Sequence, residues 1–127
     1  MSQPVLLDSS FIIALEREAR NREVGPAQRF LRTLRGRRLV LSVVTVEEVL
    51  EGSKDRDVAL ASLQRFTIQG LHAAHAQRCA LLQARSRRLM GENDAWLVAT
   101  AELLVADVVG DDRVAFERIG SRYRRFR

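Results

Sequence analysis

Short apolar runs alternate along this chain with longer segments in which apolar residues recur every three or four positions. The short runs suit strands buried on both faces, and they cover residues 5–7, 39–44 and 105–109, with a weaker one at 66–68. The longer segments are typical of amphipathic helices. Strands that alternate with helices predict one domain over residues 1–127, a three-layer α/β/α sandwich around a parallel sheet of four to five strands.

Capping residues predict where the helices begin and end. We expect Ser9 or Ser10 to cap the first helix, Pro26 to open the second, and Thr45 to cap the third, with Glu48 in the capping-box position. Further helices are predicted over 55–63 and 71–90, from Asn93 or Asp94 to residue 104, and for a turn or two after Asp112. Residues 121–127 could form a final edge strand or a tail.

Four acidic residues lie where predicted helices begin, close to the ends of strands: Asp8, Glu48, Asp94 and Asp112. Right-handed crossovers bring such junctions to one edge of a parallel sheet, where ligands bind. Carboxylates crowded at that edge would raise one another's pKa, and a divalent cation would relieve the repulsion. A set of oxygen ligands favours Mg²⁺ or Mn²⁺ over zinc.

Four segments of the chain resemble the PIN domain family, and more narrowly its VapC-like ribonuclease toxins. They are Leu-Leu-Asp-Ser-Ser at 6–10, Ser-Val-Val-Thr-Val-Glu-Glu-Val-Leu-Glu-Gly at 42–52, Gly-Glu-Asn-Asp-Ala-Trp-Leu-Val-Ala at 91–99, and Val-Val-Gly-Asp-Asp-Arg-Val-Ala-Phe-Glu-Arg-Ile at 108–119. They occur in the family's order and spacing, so that the resemblance spans nearly the whole chain.

The resemblance implies which residues form the site. Asp8, Glu48 and Asp94 match the family's first three acids, and Asp112 matches the fourth by its spacing to Phe116. Position 110 is Gly where the family usually has Ser or Thr, so a supporting hydroxyl is missing there. Two neighbours also bear on the site: Asp111 could share or take the fourth role, and Ser10 stands where Asn or Ser is common.

The resemblance also implies a function. PIN domains are metal-dependent nucleases that cut RNA, so it implies an Mg²⁺- or Mn²⁺-dependent ribonuclease toxin whose metal is held by the four acids. The implied partners are an RNA substrate, an antitoxin whose C-terminal segment blocks the pocket, and a second copy of the chain in a homodimer or a larger toxin–antitoxin assembly. Candidate arginines for the RNA backbone are Arg17, Arg85, Arg87, Arg88 and Arg113.

Composition is consistent with a polyanion partner in the cytoplasm. The chain has 127 residues, 21 basic against 16 acidic, a net charge of +5, and Lys54 as its only lysine. Arginine's planar fork suits phosphate, although genomic base composition also enriches arginine. We expect neither a membrane span nor a secretory signal, and the single Cys79 predicts a small core residue in a reducing compartment.

Competing interpretations remain open at this stage. The acids could be helix caps, with Glu48 serving Thr45, and the whole could be a PIN-like scaffold that binds RNA or protein without cutting. His72 and His75 have the spacing of a metal pair but no evident third ligand. A phosphate-accepting receiver domain would need a second acid beside Asp8 and a lysine late in the chain, and both are missing.

Overall fold

The computed structural model describes residues 3–112 and 117–127. The strands are β1 (Val5–Leu7), β2 (Leu39–Ser42), β3 (Thr67–Gln69), β4 (Asp107–Gly110) and β5 (Tyr123–Arg125). The helices are α1 (Ser9–Arg20), α2 (Pro26–Thr33), α3 (Val43–Glu51), α4 (Arg56–Leu63), α5 (Ala73–Arg85) and α6 (Glu92–Leu104), and a short 3₁₀ segment covers Glu117–Arg122. Among the described residues, no helix is both long enough and apolar enough to span a membrane.

All five strands are parallel, in the order β3-β2-β1-β4-β5, so that β1 lies at the centre. Alternate residues of a strand point to opposite faces of the sheet. Val5 and Leu7 therefore join one core cluster, with buried residues of α1 to α4, whereas Leu6 joins another with α6. The predicted α/β/α sandwich is confirmed, with five strands and helices on both faces.

The third helix begins earlier than its sequence suggests. Ser42, the last residue of β2, caps α3 by accepting a hydrogen bond from the Val44 amide at 3.1 Å. The predicted strand over 39–44 is therefore two residues too long, because Val43 and Val44 enter the helix despite their β-branched side chains. Thr45 is fully buried inside α3, so the predicted Thr45–Glu48 capping box is wrong.

Four other predicted boundaries also move. Asp8 occupies the cap position of α1, so neither Ser9 nor Ser10 caps that helix. The helix predicted over 71–90 ends at Arg85, because Ser86 takes an extended conformation, and α6 then starts at Glu92 rather than at Asn93 or Asp94. Strand β4, predicted over 105–109, begins at Asp107, since Val105 still ends α6 in a left-handed conformation with φ of 51°.

The C-terminal residues form a strand rather than a tail. Tyr123–Arg125 pairs in parallel with β4 at the edge of the sheet. Phe126 then packs on Phe11, with their rings edge to face and their centroids 5.0 Å apart. This contact anchors the last strand in the core beneath α1. Of the turn predicted after Asp112 to carry Phe116 and Ile119, residues 113–116 lie outside the described residues, and Ile119 lies in the 3₁₀ segment.

Candidate active site

Asp8 lies where the central strand ends and α1 begins. Its side chain is only 8% exposed, and its Oδ2 accepts a hydrogen bond from the Ser10 hydroxyl at 2.8 Å. Burial raises the pKa of Asp8 above its ordinary value, and the charge of Asp94 adds to the rise, while Ser10 and the nearby amides of Ser9 and Ser10 oppose it. The carboxylate makes no capping hydrogen bond. Asp8 is therefore a buried acid whose charged form is only partly compensated.

Ser10 joins Asp8 to the end of β4. Its hydroxyl donates to Asp8 and accepts a hydrogen bond from the Asp111 amide at 3.2 Å. A side chain at Gly110 would intrude here, because its Cβ would lie 3.1 Å from Asp8 Oδ2 and 3.3 Å from Ser10 Oγ. The Ser10 hydroxyl thus takes the place of the hydroxyl that position 110 lacks, and the absence of a side chain at Gly110 leaves room for Ser10.

Glu48 lies in the second turn of α3, close enough to Asp8 for the Asp8 charge to act on it. Its Oε2 accepts a hydrogen bond from the Asn93 side-chain amide at 3.4 Å. Burial raises the pKa of Glu48, and the charges of Asp8 and Asp94 raise it further, against the hydrogen bonds from Asn93 and Ser9. Because Ser42 caps α3, the interpretation of Glu48 as a cap partner is excluded, and Glu48 is available to the site.

Asp94 is the third residue of α6, behind the cap residue Gly91, so it is not itself the helix cap. Burial raises the pKa of Asp94, and the charge of Asp112 raises it further. An open pocket of about 410 Å³ lies beside it, lined by Glu48, Gly91, Glu92, Asn93 and Asp94. The charge of Asp94 thus raises the pKa of both Asp8 and Glu48, so these three predicted site residues share one electrostatic environment.

The two acids after β4 differ in their surroundings. Asp111 accepts hydrogen bonds on Oδ2 from Nε and Nη2 of Arg127, at 2.9 and 2.6 Å. Asp112 is exposed, and its charge raises the pKa of Asp94. The Asp111 carboxylate is therefore paired with the Arg127 guanidinium. Of the two acids, Asp112 is the one whose charge acts on Asp94.

Sequence reasoning missed Tyr123. This phenol lies on β5, paired with Val108, and packs against the core cluster beneath α6. Burial raises its pKa well above the ordinary value, and the charges of Asp8, Asp112 and Asp111 add to the rise. Its place beside the acids depends on the pairing of β5 with β4, for which the alternation of arginine and aromatic residues at 121–127 was the only signal.

The donor set can be tested against a hard cation. All of its members are carboxylates, and the pKa values of Asp8, Glu48 and Asp94 are raised, so that their charged forms lack sufficient positive partners. In the described part of the chain, no three Asp, Glu, His or Cys side chains already stand close enough together to hold a metal ion. The set fits Mg²⁺ or Mn²⁺ by its chemistry, and binding would draw the carboxylates together.

The other candidate residues are placed as follows. Arg17 lies about 14 Å along α1 from Asp8, at 1.5 Å for each residue of helix. Arg85, Arg87 and Arg88 are exposed near Gly91, and Arg113 lies outside the described residues. His75 Nδ1 accepts a hydrogen bond from the His72 amide at 3.1 Å, so this pair caps α5.

Cys79 is confirmed as a core residue. It is buried against Ala95 and Ala99, and burial raises the pKa of its thiol, which disfavours the reactive thiolate. Trp96 is partly buried and packs against the same cluster, as expected of a core residue.

The sequence matches the family model of the PIN domain over residues 5–121. This protein therefore belongs to the PIN domain family, whose members are generally nucleases. A search of curated protein sequences found no match.

Solved structures with the same fold are toxin–antitoxin complexes. A toxin–antitoxin complex from Klebsiella pneumoniae has a chain with a TM-score of 0.80 and 21% identity, over 97% of this chain and 98% of that one. VapBC-1 from nontypeable Haemophilus influenzae gives 0.72 and 22%, over 98% of both chains. DNA-bound VapBC from Salmonella typhimurium gives 0.74 and 19%, over 99% of this chain and 100% of that one. The predicted VapC-like fold is confirmed.

Proposed function

We propose that this protein is a metal-dependent endoribonuclease, and that it is the toxin of a VapBC-like toxin–antitoxin pair. The observation that carries the proposal is the group formed by Asp8, Glu48 and Asp94, three acids from separate elements whose pKa values are all raised, with the charge of Asp94 acting on both of the others. Structural carboxylates are normally paired with donors or cations, whereas these keep an unmet demand for positive charge.

Each acid has a distinct part in the proposed reaction. Asp8 and Asp94 would hold the divalent ion directly, with Glu48 and Asp112 completing the site. Bound Mg²⁺ or Mn²⁺ supplies polarisation of the scissile phosphate and lowers the pKa of the attacking water. Of the two acids that complete the site, Glu48 is the candidate for the proton acceptor. Its pKa is raised towards neutral pH, and hydrogen bonds from Asn93 and Ser9 orient its carboxylate.

The proposed partners follow from the structural relatives, which are complexes of a toxin with an antitoxin. We infer a cognate antitoxin that covers the acid pocket, and a homodimer that is able to enter a larger toxin–antitoxin assembly. RNA is the proposed substrate and the cytoplasm the proposed location. The net charge of +5 supports a polyanionic substrate.

A second candidate is a PIN-like scaffold that binds RNA or protein without cutting it. The observation in its favour is that, within residues 3–112 and 117–127, no three ligating side chains are yet close enough to hold a metal. Calorimetric titration with Mn²⁺ separates the two candidates. The nuclease must bind the ion, whereas the scaffold has no need of it.

The test of the proposal is the variant Asp8→Asn, which removes the charge but little volume. We expect Mn²⁺- or Mg²⁺-dependent cleavage of single-stranded RNA to fall by more than about 100-fold. Losing a residue that only supports a metal ligand costs up to about 100-fold, so a larger loss indicates that Asp8 is itself a ligand. The heat of Mn²⁺ binding should disappear as well. Gel assays with and without EDTA and calorimetry measure both effects.

The matched control is Asp57→Asn, which makes the same change at an exposed acid on α4. It should cleave RNA and bind Mn²⁺ like the wild type. Equal cleavage by Asp8→Asn and the wild type would refute the assignment of Asp8, and a wild type that binds no Mn²⁺ would favour the scaffold.

A further inference from the structure

Three arginines lie on the connection that leads from α5 to the acid pocket. Arg85 is the last residue of α5, Arg87 and Arg88 follow, and all three are exposed. Gly91, which lines the pocket, is three residues beyond Arg88, a span of at most about 11 Å of extended chain. Three positive charges therefore lie on the chain segment that leads directly to the acidic site.

This connection, residues 85–91, is held in place by a side chain. The Gln83 amide nitrogen donates to the Met90 carbonyl at 3.1 Å, and the Gln83 carbonyl oxygen accepts from the Met90 amide at 2.9 Å. The Ser86 hydroxyl also donates to the Leu82 carbonyl at 2.7 Å. Gln83 thus pairs with the Met90 backbone as a neighbouring strand would. This pairing holds the backbone of residues 85–91, to which the three arginines are attached.

Among the residues that the structure describes, six other arginines already have partners. Arg37, Arg78, Arg124 and Arg127 form ion pairs, Arg29 donates to the Val24 carbonyl, and Arg65 stacks on Phe66. Within the described ranges, Arg85, Arg87 and Arg88 form no ion pair with a carboxylate. Their charge is therefore available to a partner from outside.

Resting on the nuclease function proposed above, we propose that residues 85–91 form the phosphate-binding loop that holds the RNA backbone beside the acid pocket. The acids repel a polyanion, so RNA needs fixed positive charge next to the cleavage point as well as at the metal. Arginine supplies a planar pair of donors that matches a phosphate. Gln83 is the positioning residue, because it aligns the loop without contacting RNA.

The test compares two double variants that each remove two positive charges. Arg87→Ala with Arg88→Ala changes the loop. Arg35→Ala with Arg38→Ala changes exposed residues before β2, at the amino-terminal ends of the strands and opposite the acids. Binding of a fluorescein-labelled single-stranded RNA is followed by anisotropy in EDTA over a range of salt concentrations. We expect the loop variant to bind roughly tenfold more weakly or worse, and its salt slope to fall by about 1.4, which is 0.7 for each lost contact.

The control variant should keep both the affinity and the slope of the wild type. Equal losses in the two double variants would overturn the proposal, because they would mean that only the net charge matters. Unchanged binding by the loop variant, with loss of binding to a protein partner, would also overturn it, since exposed Leu89 in the same loop would then mark a protein interface.

Gln83→Ala tests the positioning role, with Gln77→Ala, an exposed change on the same helix, as its control. We expect Gln83→Ala to raise the KM for RNA severalfold and leave kcat nearly unchanged. A loss confined to kcat would contradict this role. A wild type that binds RNA through the loop but does not cut it would defeat the nuclease proposal alone, and a wild type that cuts RNA without using the loop would defeat this inference alone.

Discussion

Two buried carboxylates lie near the two ends of α1, and their pKa values are shifted in opposite directions. Asp8 precedes α1 and is 8% exposed, and Glu18 lies near its end and is 6% exposed. Burial acts to raise the pKa of both. The pKa of Asp8 is raised, whereas the pKa of Glu18 is lowered. Burial alone therefore does not decide whether a carboxylate is stable in its charged form.

The difference lies in the donors. Glu18 Oε1 accepts hydrogen bonds from the amides of Gly25 and Gln28 at 3.0 and 2.9 Å, and Oε2 accepts from the Ala27 amide at 2.9 Å. These are free amides at the start of α2, so Glu18 provides the cap that Gly25 cannot. Asp8 has the Ser10 hydroxyl and the nearby Ser9 and Ser10 amides, which do not outweigh its burial and the charge of Asp94. A fully satisfied carboxylate serves the fold, whereas an unsatisfied one is available for a ligand.

Replacing each carboxylate by its amide should give the largest contrast. Glu18→Gln should lower the free energy of unfolding by about 2–3 kcal/mol, because an amide has one acceptor oxygen where the carboxylate has two, and its NH₂ group faces an amide donor. Asp8→Asn should be as stable as the wild type or more stable in metal-free buffer, because it removes a poorly compensated buried charge. Urea unfolding measures both.

Glu23→Gln is the control for Glu18, because it changes an exposed glutamate just after α1 and should stay within about 0.5 kcal/mol of the wild type. If Glu18→Gln proved no less stable than Asp8→Asn, the proposed division between a structural and a functional carboxylate would be wrong.

The pH dependence of these stability differences should have opposite signs. The pKa of Glu18 is below its ordinary 4.5, so its contribution is present above that pH and is lost as pH falls through the lowered value. The pKa of Asp8 is above its ordinary 3.8. The stability advantage of Asp8→Asn over the wild type should therefore be largest above the raised pKa, and it should disappear as pH falls through that pKa towards 3.8. Each unit of pKa shift corresponds to about 1.4 kcal/mol.

Urea unfolding of the wild type and both variants, repeated from pH 3 to pH 8 in about unit steps, measures these differences. A wild-type advantage over Asp8→Asn that grew towards neutral pH without metal would contradict the assignment, since it would mean that the Asp8 charge stabilises the fold.

A glycine contacts each carboxylate, and substitution there should give the smallest contrast. A Cβ at Gly25 would lie 2.5 Å from Glu18 Oε2, whereas a Cβ at Gly110 would lie 3.1 Å from Asp8 Oδ2. We expect Gly25→Ala to cost about 2 kcal/mol and Gly110→Ala about 1 kcal/mol. The overlap at Gly25 is larger and three amides hold Glu18 in place, whereas the contacts of Gly110 with Asp8 Oδ2 and Cβ, at 3.1 and 3.2 Å, need only a small shift. Only Gly110→Ala should weaken Mn²⁺ binding in calorimetry.

Gly52→Ala is the control for both glycine variants, because a Cβ there would meet its nearest neighbour at an ordinary 3.8 Å. A larger loss of stability for Gly110→Ala than for Gly25→Ala would show that the Asp8 environment is the more rigid of the two.

The predictable part of this protein is the part governed by local pattern. The short apolar run at Val5–Leu7 led to the central strand, and its end at Asp8 led to the site. The prediction failed at Val43 and Val44, whose strand preference is overridden when Ser42 caps α3 and Val46 and Val49 are buried. It also missed the early end of α5, because the Gln83–Met90 hydrogen bonds replace a helical turn with a loop.

The roles of Glu18 and Ser10 could not be inferred locally. Glu18 has the charged helical neighbours of a solvent-exposed residue, and its donors lie seven to ten residues further along the chain. Ser10 looks like a helix cap, yet its second partner, Asp111, is 101 residues away.

The sequence by itself determined the order of strands and helices and the position of the acids at the starts of helices, because hydrophobic periodicity and strand polarity are properties of the local chain. Only the tertiary structure decided which buried carboxylates remain in demand of positive charge. That depends on how many donors the fold brings to each oxygen, and those donors come from residues far away in the chain.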